Sequence, residues 1–383
     1  MSQYFPLLTK LILLVHVSAF AAAPGITDKE IVIGVSTTMT GPSAARPSRQ
    51  LEGSKILFDK INKAGGVNGR QLRLVSYDDG YDPRKSIENA QKLIDQDKVF
   101  LFYNFYGTPT IKALMPFLTK NDIPMVAPSS GASFFRFPAD RNIYNVKPGH
   151  WDESETMVHF LTLQGIKNIS IFYQDDSFGG DGRLGVSTSM NKLNLKAASV
   201  GSYARNTTDI SEAYAAIKKS NPDAVVMWSL GDIGIQFIKM AIKDKWNPVF
   251  FLASNQLNEE MIEASKDWKA KVYVALNLPP AEDSKLEIAR QYVADSKAAK
   301  VALEPNRFEG YVNAAVLIES LKIAGKDLTR DSLRLAFNEK MKDVNIGSLK
   351  CEYSKDIHQA FSKTFVAQVI KGKVVVEPEE SKK

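Results

Sequence analysis

The sequence predicts an α/β protein with two doubly wound lobes, each a parallel sheet flanked by helices. Short apolar stretches alternate with segments of helical periodicity over the first 150 residues, and the alternation starts afresh after His150. Such alternation is typical of parallel strands joined by crossover helices. The chain has 383 residues, of which 44% are hydrophobic, so it can bury two hydrophobic cores.

The individual elements follow from periodicity and turn residues. For the first lobe we expect strands at 31–35, 71–77, 99–103, 124–127 and 143–146, with helices at 53–64, 87–94 and 111–118. For the second we expect strands at 169–173, 224–228, 249–252 and 271–277, with helices at 152–163 and 209–219 and through 237–241. Beyond Pro280, helices at 284–297, 308–324 and 329–338 and strands near 349 and at 364–369 offer too little sheet for a third domain. We expect them to complete the first two.

Two neighbouring loops of small polar residues form the candidate site. The strands at 99–103 and 124–127 end in Tyr106-Gly107-Thr108-Pro109 and in Ser129-Ser130-Gly131, respectively. Pro109 fits the first turn of a helix, Thr108 can be its N-cap, and the glycines let a ligand approach the backbone. Free N–H groups and hydroxyls at one sheet edge predict a cradle for a small anion such as a carboxylate. The alternative is a pair of ordinary turns in which Ser and Thr cap helices.

The N-terminal segment predicts export. Residues 1–21 combine Lys10, the apolar run 11–15 and the small-residue motif Ala19-Phe20-Ala21, as in a cleaved signal peptide. Cys351 is the only cysteine, so no disulfide can form within one chain, and no cysteine near the cleavage site could carry a lipid. We therefore expect a periplasmic protein without a lipid anchor. Basic and acidic residues are interleaved throughout, which argues against nucleic acid as a partner.

Catalytic signatures are missing from the sequence. It contains no G-x-x-x-x-G-K-[ST] phosphate loop, no G-x-S-x-G elbow and no G-x-G-x-x-G after a strand. His150, His159 and His358 are not at the spacing of metal ligands. We therefore expect a protein that is not an enzyme and that has no metal or cofactor.

Several motifs resemble those of the type I periplasmic solute-binding proteins of branched-chain amino acid ABC transporters. They are 31–35 with Thr40-Gly41-Pro42, then 61–70, 77–83, 173–179 and 205–209. The resemblance implies two lobes joined by three crossings, with a ligand in the cleft between them. It implies a first lobe of 27–146 plus 275–350, a second of 147–274 plus 351–376, and a tail of 377–383.

The resemblance also implies which residues hold the ligand. Its carboxylate is expected at Tyr106, Gly107 and Thr108 of one loop and at Ser129, Ser130 and Gly131 of the other. The second lobe is expected to close over it with the following side chains: Trp151, Phe178, Leu230 and Asn255. Trp151 and Phe178 are the candidates for contacts made only on closure; the alternative is that either belongs to a core.

Two departures from the family pattern bear on the ligand. Gly107 stands where amino-acid binders have a serine, and Asn255 stands where they have a carboxylate for the ligand ammonium. A buried ammonium without a counter-charge is costly, unless Asp175, Asp232 or Glu259 supplies one. Arg46 and Arg49 could add positive charge at the cleft mouth, or be solvated residues before a helix. We therefore favour a small carboxylate or a neutral amide-like solute.

The function implied is that of a solute receptor of an ABC importer, which delivers its ligand to a membrane permease. The alternative is a sensory module whose closed form docks on a membrane receptor or kinase.

Overall fold

The computed structural model describes residues 23–41, 43–282 and 284–378. The predicted signal peptide (1–21), Pro42 of the Thr40-Gly41-Pro42 motif and the last five residues of the predicted tail lie outside these ranges. Among the helices of the described residues, none has both the length and the apolar character that a bilayer-spanning segment needs.

Strands and helices alternate along most of the described chain. The strands are β1 (Glu30–Thr37), β2 (Gln71–Asp78), β3 (Leu101–Tyr103), β4 (Met125–Val126), β5 (Ile143–Tyr144), β6 (Ile169–Asp175), β7 (Val200–Ala204), β8 (Ala224–Trp228), β9 (Val249–Leu252), β10 (Val272–Leu276), β11 (Asn345–Ile346), β12 (Leu349–Lys350), β13 (Phe365–Ile370) and β14 (Lys373–Val376). The α-helices are α1 (Ala45–Lys63), α2 (Pro83–Asp95), α3 (Thr108–Asn121), α4 (His150–Leu163), α5 (Ser177–Lys192), α6 (Ser211–Lys219), α7 (Gly231–Lys243), α8 (Glu259–Ala264), α9 (Glu287–Ala299), α10 (Pro305–Ala324) and α11 (Arg330–Leu335). Short 3₁₀ turns lie at 133–135, 254–256 and 265–267.

The first sheet is parallel and has the strand order β2-β1-β3-β4-β5. Its inner strands are buried on both faces, because successive side chains of a strand point to opposite sides. In β1, Ile33 joins the core under α1, α9 and α10, whereas Val32 joins the core under α2 and α3. Both faces of β1 are thus covered by apolar cores, which explains why its sequence is a continuous apolar run.

The second sheet has the order β14-β13-β10-β9-β8-β6-β7. Its strands β6 to β10 are parallel, whereas β13 runs antiparallel to β10 and β14 antiparallel to β13. Residues of α6 and α7 form the core on one face, and residues of α4 and α5 form the core on the other. The predicted fold class, two α/β lobes with parallel or mostly parallel sheets flanked by helices, is confirmed.

The chain passes between the two sheets three times: after β5, after β10 and before β13. The exact lobe limits derived from sequence stay a prediction, and we propose a shift in two of them. Strand β10 pairs within the second sheet as far as Leu276, and Cys351 and Tyr353 pack in the core of the first. We therefore propose crossings at 147–149, 277–281 and 361–364.

Helices α1 and α10 of the first lobe pack with backbones in contact at two glycines. A Cβ on Gly53 would lie 1.8 Å from the carbonyl oxygen of Arg307, and one on Gly310 would lie 1.9 Å from that of Gln50. Only glycine permits this approach. It fixes the N-termini of both helices, and with them Arg46 and Glu309, at the edge of the first sheet that faces the second lobe.

Candidate ligand-binding site

Loops at the carboxyl ends of strands from both sheets meet around a small cavity of about 20 Å³. Crevices outside the carboxyl ends of parallel strands are where α/β proteins bind ligands. The residues that line the cavity are Arg46, Tyr81, Tyr106, Gly107, Thr108, Ser129, Ser130, Lys147, His150, Phe178, Leu230 and Asn255.

The first-lobe wall of the cavity carries three serine and threonine hydroxyl groups beside the two tyrosines Tyr81 and Tyr106. Gly107 is the N-cap of α3 and has φ 95°, where a Cβ would lie 2.3 Å from the ring of Tyr81. The prediction of Thr108 as N-cap is therefore wrong by one residue, because only glycine fits the cap conformation and leaves room for the ring. The hydroxyl oxygens of Thr108 and Ser130 lie 2.7 Å apart, and Ser129 donates to Gln50 Oε1 over 2.7 Å.

The second-lobe wall is built on helix starts. Phe178 lies in the first turn of α5, whose N-cap Asp176 accepts hydrogen bonds from the Phe178 and Gly179 N–H groups. Leu230 is the N-cap of α7, and its N–H donates to the hydroxyl of Tyr203 over 3.1 Å. Asn255 donates to the Ser229 carbonyl, while its Oδ1 is buried with no hydrogen-bond partner among the described residues.

Lys147 gives the cavity a cation that is only loosely paired. It is 7% exposed, and its Nζ lies 3.7 Å from Glu153 Oε1, beyond hydrogen-bond distance. Glu153 is itself occupied by the N–H and hydroxyl of Ser254. Burial lowers the pKa of Lys147, and the charge of Glu153 opposes that shift. An anion in the cavity could therefore accept hydrogen bonds from this ammonium group.

Arg46, the other cation, is held by partners of its own. Its guanidinium donates to Glu309 Oε2 and to Asn306 Oδ1, each over 2.5 Å, and to the Ser254 carbonyl over 3.4 Å. Burial acts to raise the pKa of Glu309, but the charges of Arg46 and Lys147 outweigh it and the pKa is lowered. Arg46 is thus a buried, ion-paired residue of the cavity wall, and the alternative of a solvated residue before a helix is wrong.

His150 connects the loop after β4 to helix α5 through hydrogen bonds of both ring nitrogens. Its Nε2 accepts from the Gly131 N–H over 3.0 Å, so its Nδ1 carries the proton and donates to Asp181 Oδ2 over 2.9 Å. Asp181 also accepts from the N–H and hydroxyl of Ser133. A Cβ on Gly131 would lie 2.3 Å from His150 Cδ2. Gly131 therefore serves close packing beside the cavity and does not line it.

Further contacts bridge the lobes across the cleft. Arg49 Nη2 lies 2.7 Å from Glu260 Oε1, and Asn306 Nδ2 donates to the Leu257 carbonyl over 3.1 Å. The amide of Gln174 donates to the Tyr81 hydroxyl over 3.4 Å. The lobes are therefore closed upon each other.

The structure brings together most of the residues predicted from sequence. Nine of them line the cavity: Arg46, Tyr106, Gly107, Thr108, Ser129, Ser130, Phe178, Leu230 and Asn255. It does not bring Trp151 of α4, which is 40% exposed, lies beside Gly185 of α5 and is part of neither the cavity nor a core of the described residues. That all of these residues bind a ligand stays a prediction.

Three lining residues were not predicted from the sequence: Tyr81, Lys147 and His150. Tyr81 follows the end of β2, as the predicted loops follow β3 and β4, and that shared position was the available signal. The acidic alternatives Asp175, Asp232 and Glu259 do not line the cavity. Within the described ranges no group of three or more His, Cys, Asp or Glu could hold a metal ion.

The His150 ring should stay neutral at a pH at which exposed histidines are charged. Burial lowers its pKa, and a second proton on Nε2 would face the Gly131 N–H. The unfolded chain then binds a proton that the folded protein does not, so this contribution to stability begins to fall as the pH drops below about 6.5 and is lost once the pH passes the lowered pKa of the folded protein. Nitrogen-15 NMR of the ring should show a protonated Nδ1 and a bare Nε2 at pH 6. A protonated Nε2 there would contradict this assignment.

The matched variants are His150→Gln and His159→Gln, the second being exposed on the same helix. We expect His150→Gln to flatten the fall in the thermal midpoint between pH 7 and pH 5, and His159→Gln to leave it as in the unmutated protein.

The sequence of this chain matches that of known proteins over nearly its whole length. The profile of the family described as periplasmic binding protein matches residues 30–373. An amino acid binding protein of Pseudomonas aeruginosa is 24% identical over 210 residues, which are 52% of this chain and 54% of that protein. Leu/Ile/Val-binding protein homolog 7 of Brucella abortus is 21% identical over 339 residues, which are 83% of this chain and 84% of that protein.

A solved structure gives the same fold. The fatty acid ABC transporter substrate-binding protein of Thermomonospora curvata matches with a TM-score of 0.83 at 20% identity, covering 93% of each chain. The protein therefore belongs to the periplasmic binding protein family, a class of solute-binding proteins, and the resemblance to its leucine-binding-protein-like type I members is confirmed.

Proposed function

We propose that this protein is the solute receptor of an ABC importer and that its cleft binds a small carboxylate solute. The observation that carries the proposal is the composition of the cavity wall. Five residues with a hydroxyl group and Lys147 line a cavity that no carboxylate lines among the described residues. Ser129 already donates to Gln50, and either Thr108 or Ser130 donates to the other, so one hydroxyl of that pair and the ammonium of Lys147 remain to donate to a carboxylate. Charge-assisted hydrogen bonds of this kind are the strong ones.

The same wall disfavours an α-amino acid. Asn255 stands where the resemblance expects a carboxylate, and its unpartnered Oδ1 is a neutral acceptor. A ligand ammonium buried in this cavity would meet only neutral acceptors, the Asn255 amide oxygen and the hydroxyl oxygens, together with the positive charge of Lys147, which does not repay its desolvation. We therefore infer an acid without an α-ammonium group, such as the 2-oxo or 2-hydroxy counterpart of an amino acid.

Binding requires the lobes to open. A cavity of about 20 Å³ has room for roughly one water molecule, whereas small-molecule sites have volumes of about 300 to 1,000 Å³. Hinge closure around a ligand is the motion that a two-lobe protein with three crossings permits. In the proposed cycle the solute binds the open form, the lobes close over it less completely than they do in this structure, and a membrane permease receives it from that liganded form in the periplasm.

Thermal unfolding with a ligand panel tests the proposal. The purified protein, refolded to remove carried-over solute, is melted with leucine, isoleucine and valine, with their 2-oxo and 2-hydroxy acids, and with their amides. A ligand at 100 times its dissociation constant stabilises by about 2.7 kcal/mol, which moves the midpoint by several degrees. We expect the 2-oxo or 2-hydroxy acids to give the larger shift.

The other outcomes are equally informative. A shift with the amino acids alone would overturn the carboxylate proposal while leaving a receptor. Consumption of a panel compound on incubation would show an enzyme instead.

A further inference from the structure

Arg136, at the end of the loop that follows β4, is a buried cation. It is 4% exposed, and all of its hydrogen bonds within the described ranges go to uncharged oxygens. Burial lowers its pKa to about 10, although the charges of Asp152, Asp181 and Glu153 act to raise it, so the guanidinium stays charged at neutral pH. A buried charge that contacts no carboxylate is costly, and its presence therefore calls for a physical reason.

The guanidinium of Arg136 binds three segments of the chain. In the loop after β4, its Nη1 donates to the Ala132 carbonyl over 3.1 Å and to the Ser130 carbonyl over 3.4 Å. At the first crossing, its Nη2 donates to the Lys147 carbonyl over 3.0 Å. Just before the third crossing, its Nε donates to Gln359 Oε1 over 2.5 Å. Arg136 therefore joins the loop after β4 to two of the three crossings.

The same network reaches the second lobe through one further side chain. Gln359 Nε2 donates to Asp152 Oδ2 over 3.2 Å, and that oxygen also accepts from the Gly149 N–H over 2.8 Å. Gly149 is the N-cap of α4, the first helix of the second lobe. The start of this helix is thus connected to Arg136 by hydrogen bonds between side chains.

Two of the residues whose carbonyls Arg136 binds also line the cleft cavity. They are Ser130, whose hydroxyl pairs with Thr108, and Lys147. One carboxylate can accept from a hydroxyl of that pair and from the ammonium only if the two donors keep a fixed spacing, because hydrogen bonds weaken steeply outside a narrow range of distance and angle. The backbone on both sides of this spacing is held by one guanidinium.

We propose that Arg136 is the positioning residue of the cleft: it fixes the orientation of the lobes at the first and third crossings, and with it the spacing of Lys147 from the loop of Ser130. The consequence for a carboxylate ligand rests on the proposed function, whereas the effect on lobe orientation does not. A planar guanidinium donates in several fixed directions, and the ammonium of a lysine is a point charge on a flexible stem. Arg136→Lys therefore keeps the charge and removes the geometry.

The distance between the lobes tests the effect on orientation without a ligand. Spin labels at Lys120→Cys in α3 and Asn191→Cys in α5 report it by double electron–electron resonance, since both positions are exposed and Cys351 is buried. We expect Arg136→Lys to broaden the distance distribution, because the two crossings lose their common anchor. An unchanged distribution would overturn the proposal.

Arg334→Lys is the matched control. Arg334 is 6% exposed in the first lobe, and its side chain binds Asp122, Asp331 and Asn142, none of which belongs to a crossing or lines the cleft cavity. Its replacement should lower the thermal midpoint and leave the distance distribution as in the unmutated protein. Equal broadening in the two lysine variants would mean that lost stability is the cause, and would overturn the role of Arg136.

Calorimetric titration with the 2-oxo acid of leucine tests the consequence for binding. We expect about tenfold lower affinity in Arg136→Lys, whose lobes should adopt the binding arrangement in a minority of molecules, and an unchanged affinity in Arg334→Lys. An equal fall in both variants would contradict the positioning of the cleft donors. Absence of binding to the unmutated protein would count against the proposed function, and the distance distributions would still decide the role of Arg136.

A second variant covers the case in which Arg136→Lys does not fold. Gln359→Met removes the connection of Arg136 to the third crossing and to Asp152, and it leaves the other bonds of the guanidinium in place. It should broaden the distance distribution by a smaller amount. A distribution as narrow as that of the unmutated protein would overturn the proposal here too.

Discussion

Replacing Lys147 by methionine should weaken the binding of a carboxylate solute strongly and lower the free energy of unfolding. The substitution removes the loosely paired cation of the cleft cavity and leaves Glu153, which is 1% exposed, without this ion-pair partner. Removing one partner of a buried ion pair costs about 3 kcal/mol or more. The lost charge-assisted hydrogen bond should weaken a carboxylate ligand by about 100-fold. Urea unfolding and calorimetric titration measure the two effects.

The double variant Lys147→Met, Glu153→Gln separates the two roles. The amide oxygen that Glu153→Gln introduces can still accept a hydrogen bond from Ser254, so stability should return, whereas the ligand should still bind weakly. Recovery of binding in the double variant would mean that Lys147 acts only by balancing Glu153. Lys192→Met breaks an ion pair with Glu155 whose members are both more than half exposed, and it should change neither quantity appreciably.

The second large effect is expected at the contact between α1 and α10. Gly310→Ala would place a Cβ 1.9 Å from the carbonyl oxygen of Gln50, and no rotamer change can move a backbone atom away. The helices must separate, which should cost about 3 kcal/mol and lower the thermal midpoint by several degrees.

Gly180→Ala in α5 is the control, because its Cβ would meet nothing within 4 Å. That change should be neutral or stabilise by up to about 1 kcal/mol. Equal stability of the two variants would contradict the close packing.

The fold could be predicted because its signals are local. Buried strands such as β3 and β8 are short continuous apolar runs, and each is followed by turn residues and a helical period. The loops after β3 and β4 could likewise be assigned to one sheet edge, because parallel strands end on the same side. Thr108, Ser129 and Ser130 therefore meet as expected.

The remaining site residues depend on geometry that the sequence does not display. His150 and Trp151 are neighbours on α4, and successive helical residues point about 100° apart, so a one-residue difference in phase places the histidine inward and the tryptophan outward. Tyr81 reaches the cavity from a backbone with φ 63°, which its side chain gives no reason to expect. Lys147 is a candidate ligand-binding residue because it is only loosely paired with Glu153, and the distance between them is defined only in the folded chain.

The division of the first lobe along the chain also dictates when that lobe can fold. Its sheet is complete by Tyr144, but the core on one face needs α10 and the segment around Tyr353, more than 150 residues later. The second sheet likewise receives β13 only after residue 364. A ribosome releases these segments last, so the first-lobe core that contains α10 and Tyr353 cannot close until most of the polypeptide has been synthesised. For the exported protein that we propose, this late closure keeps the nascent polypeptide loose enough to be threaded through a translocation channel before it folds.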